Sequence, residues 1–147
     1  MDVRALAKLL ANQKKYEEAE EILRSLIEMI KTVSANNFNE DMFMAYCDLG
    51  ALLRKANYYD EAERELLKAA ELGEKLQKAF PFIELAELRI QQNRLDDAEA
   101  PLKRALEIRR STLPEGHKTI TETVEKLASL YDRMERGEEA EALRKQQ

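Results

Sequence analysis

The sequence predicts an all-α protein, a solenoid of stacked antiparallel helix pairs. Three observations carry this. One short pattern returns four times, as Tyr16-Glu17-Glu18-Ala19-Glu20, Tyr59-Asp60-Glu61-Ala62-Glu63, Leu95-Asp96-Asp97-Ala98-Glu99 and Gly137-Glu138-Glu139-Ala140-Glu141. Its alanines are 43, 36 and 42 residues apart, a period that marks a helical repeat. Between the copies, apolar residues recur at spacings of three and four. Only four glycines and three prolines interrupt the 147 residues.

Each repeat reads as two amphipathic helices. The first offers Val3, Leu6, Ala7 and Leu10, then Tyr16, Ala19, Leu23 and Leu26. The second offers Met44, Tyr46, Leu49, Gly50 and Leu53, a break at Asn57, then Ala62, Leu66, Ala69 and Leu72. The third runs through Phe82, Leu85 and Ala86, breaks at Asn93, and resumes with Ala98, Leu102 and Ala105. The fourth has Val124, Leu127, Ala128 and Tyr131, then Ala140 and Leu143. The expected helices are near 2–13, 16–33, 40–56, 59–78, 80–92, 95–112, 118–134 and 137–146. The repeats fall near 1–38, 39–78, 79–116 and 117–147 of one domain.

The small residues have a packing reason. Ala7, Gly50, Ala86 and Ala128 share one place in each first helix, and Ala19, Ala62, Ala98 and Ala140 share one in each second helix. A bulky side chain there would push paired helices beyond their usual separation of about 8–10 Å. Leu49, Leu53, Ala62, Leu66, Leu85, Ala98, Leu102, Ala105, Leu127 and Tyr131 form the expected core.

Loops of different length, 34–39 and 112–117, separate the pairs. Asn39 or Asp41 is expected to cap the helix that follows, and Thr119 with Glu122 fits a capping box. Pro101 is expected near a helix start, at the cost of a mild kink.

Composition narrows the function. The net charge of −5 comes from interspersed signs, without the basic stripe of a nucleic-acid binder. No apolar run reaches the roughly 18 residues of a membrane span, and Met1-Asp2-Val3-Arg4 lacks a signal-peptide core. A cytoplasmic setting is expected. The single cysteine, Cys47, excludes an internal disulfide and reads as a small buried filler. His117, the single histidine, has no Cys or His beside it for a metal and reads as a loop or capping residue. The recurring acid pairs open helices, where carboxylates favour the positive end of the dipole. No phosphate loop, zinc spacing or nucleophile elbow appears. Neither cofactor, metal nor catalytic residue is expected; an enzyme is the remote alternative.

These residues resemble the tetratricopeptide repeat. In the second unit Tyr46, Leu49-Gly50, Leu53, Tyr59, Ala62, Leu66 and Ala69 stand where that family places its aromatic, Leu-Gly, apolar, Tyr, Ala, aromatic and Ala. The stretch Ala98 to Arg109 and the later His117 resemble the kinesin-light-chain type. The resemblance implies a right-handed superhelix whose first helices line a concave groove that binds protein or peptide. By that alignment the groove residues are Arg4, Lys8, Ala11 and Asn12 from the first repeat, and Met44, Cys47, Asp48, Ala51, Arg54 and Lys55 from the second. The third supplies Phe80, Ile83, Glu84, Glu87, Ile90 and Gln91. The fourth supplies Glu122, Glu125, Lys126, Ser129, Asp132 and Arg133. Lys8, Asp48 and Glu84 occupy places of the chaperone-type carboxylate clamp, and the two acids would repel a carboxylate ligand. Asp48, Glu84 and Lys126 replace the asparagines with which kinesin light chains hold peptide backbone. The expected groove is basic in its first half (Arg4, Lys8, Arg54, Lys55) and acidic in its second (Glu84, Glu87, Glu122, Glu125, Asp132). Self-association through the array ends, or a structural segment of a larger protein, is the alternative.

Overall fold

The computed structural model describes residues 2–33 and 38–147. It contains α1 (Val3–Asn12), α2 (Tyr16–Thr32), α3 (Phe38–Lys55), α4 (Tyr59–Leu76), α5 (Phe80–Gln91), α6 (Leu95–Thr112), α7 (Lys118–Arg133) and α8 (Gly137–Lys145). No strand occurs among the described residues. The chain divides into two compact units, Met1–Leu76 and Gln77–Gln147. Each holds two helix pairs.

The recurring small residues sit at the helix crossings. Ala7 is buried, and Ala19, Ala62, Ala86, Ala98, Ala128 and Ala140 are sealed from solvent. At Gly50 the approach is closest: a Cβ there would lie 2.6 Å from Leu66 Cγ and Cδ2. Every expected core residue, from Leu49 to Tyr131, is buried.

The four turns inside pairs share one device. Seven residues after each small residue the backbone turns left-handed, at Lys14 (φ 60°), Asn57 (φ 67°), Asn93 (φ 58°) and Glu135 (φ 59°). This ends each first helix and frees the chain to reverse. Asparagine tolerates that conformation; lysine and glutamate adopt it at a cost.

Three local expectations are corrected. His117, not Thr119, caps α7: its Nδ1 accepts from the Thr119 backbone N–H at 3.2 Å. α3 begins at Phe38, so Asn39 and Asp41 lie in its first turn. The loop residues 34–37 of that expectation lie outside the described residues, as does Met1. Pro101 lies well inside α6 and is buried. Its missing N–H leaves the Asp97 carbonyl, four residues back, without a helical donor. The Arg89 Nη1 from α5 donates to that carbonyl at 3.0 Å. A side chain from the paired helix thus repairs the defect.

Candidate functional site

The first helices of the second unit frame a cleft. It has a volume of about 600 Å³ and is lined by Glu87 and Ile90 of α5 and by Glu122, Glu125, Lys126, Ser129, Leu130 and Arg133 of α7. Helical spacing puts Glu122, Glu125, Lys126, Ser129 and Arg133 on one face, so the α7 side of the cleft follows from periodicity. Ile90 is half-buried and makes an apolar floor beneath a charged rim, while Leu130 beside it is only 1% exposed and belongs to the core. Lys126 Nζ spans the cleft to Glu87 Oε1 at 2.7 Å.

The other rim acids are also engaged. Arg144 of α8 donates to Glu125 at 2.8 Å and to Asp132 at 2.9 Å. These bonds hold the Glu125 carboxyl below its ordinary range, helped by the Ser129 hydroxyl. Lys118 approaches Glu122 at 3.7 Å, and Glu84 is engaged as well. Arg133 has no hydrogen-bonding or ion-pair partner among the described residues.

Behind the cleft, polar contacts tie α6 to α7 and α8. Glu99 accepts from Tyr131 at 2.8 Å, Arg136 at 2.7 Å and Lys103 at 2.9 Å. Arg136 and Lys103, with Tyr131, lower its carboxyl to about 2 against desolvation. Arg136 also stacks on the Tyr131 ring at 4.2 Å. Arg109 donates to the fully buried Thr123 hydroxyl at 2.6 Å, and burial lowers its own proton affinity.

The first-unit candidates are arranged differently. Arg4 Nε donates to Asp48 Oδ2, and Lys8 lies 3.7 Å from the other carboxylate oxygen. Arg4 also reaches the Met44 sulfur at 3.6 Å. Arg54 is engaged and Lys55 is exposed. Met44 and Phe80 are 37% and 44% exposed. Cys47 packs with Phe43 and Ala69, and Ile83 is only 8% exposed; both belong to the core and offer a ligand little surface. Of the charges expected in the groove, Arg4, Lys8, Glu87, Glu125 and Asp132 are thus paired inside the chain.

Sequence reasoning missed Leu130 and Arg144. Arg144 had a signal: it occupies the place of Leu23, Leu66 and Leu102, so a charge at a core position pointed to a polar surrounding.

Other hollows include one of about 630 Å³ on the acidic face of α2 and one of about 550 Å³ beside Arg110, Gly116 and Thr121. Neither is framed by first helices of two repeats. Among the described residues no group of three or more His, Cys, Asp or Glu could hold a metal ion, and no helix is long and apolar enough to cross a membrane.

The tetratricopeptide-repeat family model matches residues 4–38 and 84–117. Those two stretches are tetratricopeptide repeats. Its fold resembles the nearly identical TPR-like repeats assigned to a kinesin light chain of Podosopora anserina, with TM-score 0.82 and 18% identity over 98% of this chain and 71% of that one. BtubC from P. vanneervenii gives 0.82 at 20% identity, over 99% of this chain and 62% of that one. The Yersinia enterocolitica type III secretion translocator chaperone SycD gives 0.71 at 21%, over 90% and 83%. No curated protein matches the sequence. In the tetratricopeptide frame, α5 and α7 are the first helices of the third and fourth repeats. The cleft thus lies on the first-helix side, where the sequence resemblance put the binding face.

Proposed function

We propose that this chain is a non-catalytic protein-interaction module and that the α5–α7 cleft takes a segment of a protein partner. The observation that carries this is the partly exposed, apolar Ile90 at the bottom of a charged cleft between two first helices. Apolar anchors in desolvated pockets supply most binding energy at such surfaces. The rim charges, being paired within the chain, set orientation more than affinity. Arg133, the rim cation without a partner, favours an acidic residue beside the apolar anchor. SycD, of the same fold, is a translocator chaperone, which agrees with a partner that is itself a protein.

The test is a library of random 16-residue peptides displayed on phage and panned on the purified chain. Enriched peptides should share an apolar anchor beside an acidic residue. Their binding should be lost on Ile90→Asp and weakened about tenfold on Arg133→Glu. Absence of enrichment, or binding that survives Ile90→Asp, overturns the reading.

A further inference from the structure

A segment that lies lengthwise in the α5–α7 cleft must cross the rung that joins its walls. Lys126 Nζ and Glu87 Oε1 are 2.7 Å apart, and their side chains are 43% and 33% exposed. A pair so open to solvent is worth little by itself, so a ligand that offers each end a new partner can open it. Glu87 stands one turn before Ile90, the apolar floor.

The two walls then offer opposite charges. On α7, Glu125 is held by Arg144 at 2.8 Å and Glu122 lies 3.7 Å from Lys118, so both acids of that wall are already compensated. What is left on α7 is Lys126, once the rung opens, and Arg133, which has no partner among the described residues. The α5 wall offers Glu87. The occupant meets two cations on one side and a carboxylate on the other.

The spacing of the cations selects the form of the occupant. Lys126 and Arg133 are seven residues apart, two turns and about 10.5 Å along α7. An extended segment returns to one face every two residues, so its side chains there are about 6.8 or 13.6 Å apart, and neither spacing matches. A helix lying along α7 returns to the same face after seven residues with the same rise, and so meets both cations at once. α5 and α7 make no close approach to each other, which leaves the lane between them to a third helix.

We infer that the occupant of the cleft is an amphipathic helix of a protein partner, with acidic residues seven apart on one flank, a lysine or arginine on the other, and an apolar seam between. The seam lies on Ile90, the acids on Lys126 and Arg133, and the base on Glu87. This rests on the cleft being the binding face, and adds the conformation and charge pattern of what it takes. Binding exchanges the rung for pairs across the interface, one set on each wall. A helix with uncharged flanks would leave both ends of the rung unpaired.

The probe is a set of three fluorescein-labelled 18-residue helical peptides with one leucine seam. One is acidic on one flank and basic on the other, one is acidic on both, and one is basic on both. Fluorescence anisotropy with the whole chain should show the mixed peptide binding at least about tenfold tighter than either uniform one. Glu87→Lys makes both walls cationic and should pass the preference to the doubly acidic peptide. Lys126→Glu with Arg133→Glu makes both walls anionic and should pass it to the doubly basic one. The substituted side chains are at least partly exposed, so helix content by circular dichroism should stay that of the parent. Proline at the centre of the mixed peptide should abolish its binding. Equal binding of the three peptides, no binding of any, or a preference that Glu87→Lys leaves unchanged overturns the inference. So does undiminished binding of the proline peptide, since an extended segment would then fill the cleft. Any of these results, with panned peptides that still bind and are lost on Ile90→Asp, leaves the cleft as the binding face.

Discussion

In the first unit α1 rests directly against α3, with Arg4 laid across Asp48 and Met44. In the second, α5 and α7 make no such close approach, and Lys126 reaches across a cleft to Glu87. Yet the same rung links both pairs. Lys8 stands one residue after Ala7 and Asp48 two before Gly50; Glu87 stands one after Ala86 and Lys126 two before Ala128. The positions are equivalent and the signs reversed. The repeat pattern therefore sets how helices cross within a pair, because that crossing depends on the small residues. It does not set the space between successive first helices, which the pattern leaves to residues outside the core. That space can be widened or narrowed without disturbing the crossings within pairs.

The comparison is broken most severely at the closest crossing. Leu66→Ala should cost about 2–5 kcal/mol by leaving a cavity. Gly50→Ala should cost about 1–3 kcal/mol, because its Cβ meets a Leu66 that is sealed from solvent and has no room to move. In the second unit the equivalent residue is already alanine, and Ala86→Gly should cost only about 0.5–1 kcal/mol, from backbone entropy. Urea denaturation would measure all three; equal costs for Gly50→Ala and Ala86→Gly would erase the difference in helix approach.

A second difference is electrostatic. Glu99 is held at about 2 while an unfolded glutamate titrates near about 4.3. Its stabilisation is therefore complete above the unfolded value and is lost as pH falls toward about 2. The stability lost on Arg136→Ala should be largest at neutral pH and shrink across that window. A deficit that stays constant down to pH 2 would assign Arg136 to packing on Tyr131 instead of to charge.

The repaired helix predicts a smaller, conditional effect. Arg89→Ala should cost about 1 kcal/mol, since the Asp97 carbonyl loses its donor. In a Pro101→Ala background the new N–H can serve that carbonyl, so the Arg89 effect should shrink. A double-mutant cycle with no coupling would refute the repair.

The smallest effect is a gain. Glu135→Gly and Lys14→Gly should each stabilise by about 0.5 kcal/mol, since they relieve left-handed strain. Asn57→Gly should do less, because asparagine suits that conformation and Asn57 accepts from Tyr59 at 2.8 Å.

The sequence disclosed the helices almost to the residue, because each is bracketed by a turn whose chemistry repeats. It also disclosed the core, because the small-residue places can be read by aligning the copies. The candidate site was legible only in part. Glu122, Glu125, Lys126, Ser129 and Arg133 followed from the face of α7. That Ile83 turns inward did not, since it sits near the edge of a helical stripe where a small rotation decides exposure; Cys47, placed in the groove by the alignment but read from its residue type as a buried filler, is the filler. Nor did periodicity reveal which charges cancel. The partners of Asp48, Glu87 and Glu125 are 40, 39 and 19 residues away, so their pairing depends on how the helices stack.

The buried Cys47 gives the first unit a built-in chemical clock. It is the single thiol in the chain and is 4% exposed, against α4. A thiol reagent can reach it only when α3 and α4 part. Its labelling rate therefore counts openings of that unit, while the second unit, which has no thiol, stays silent. Two halves that seem alike by circular dichroism can thus be timed separately without introducing a label.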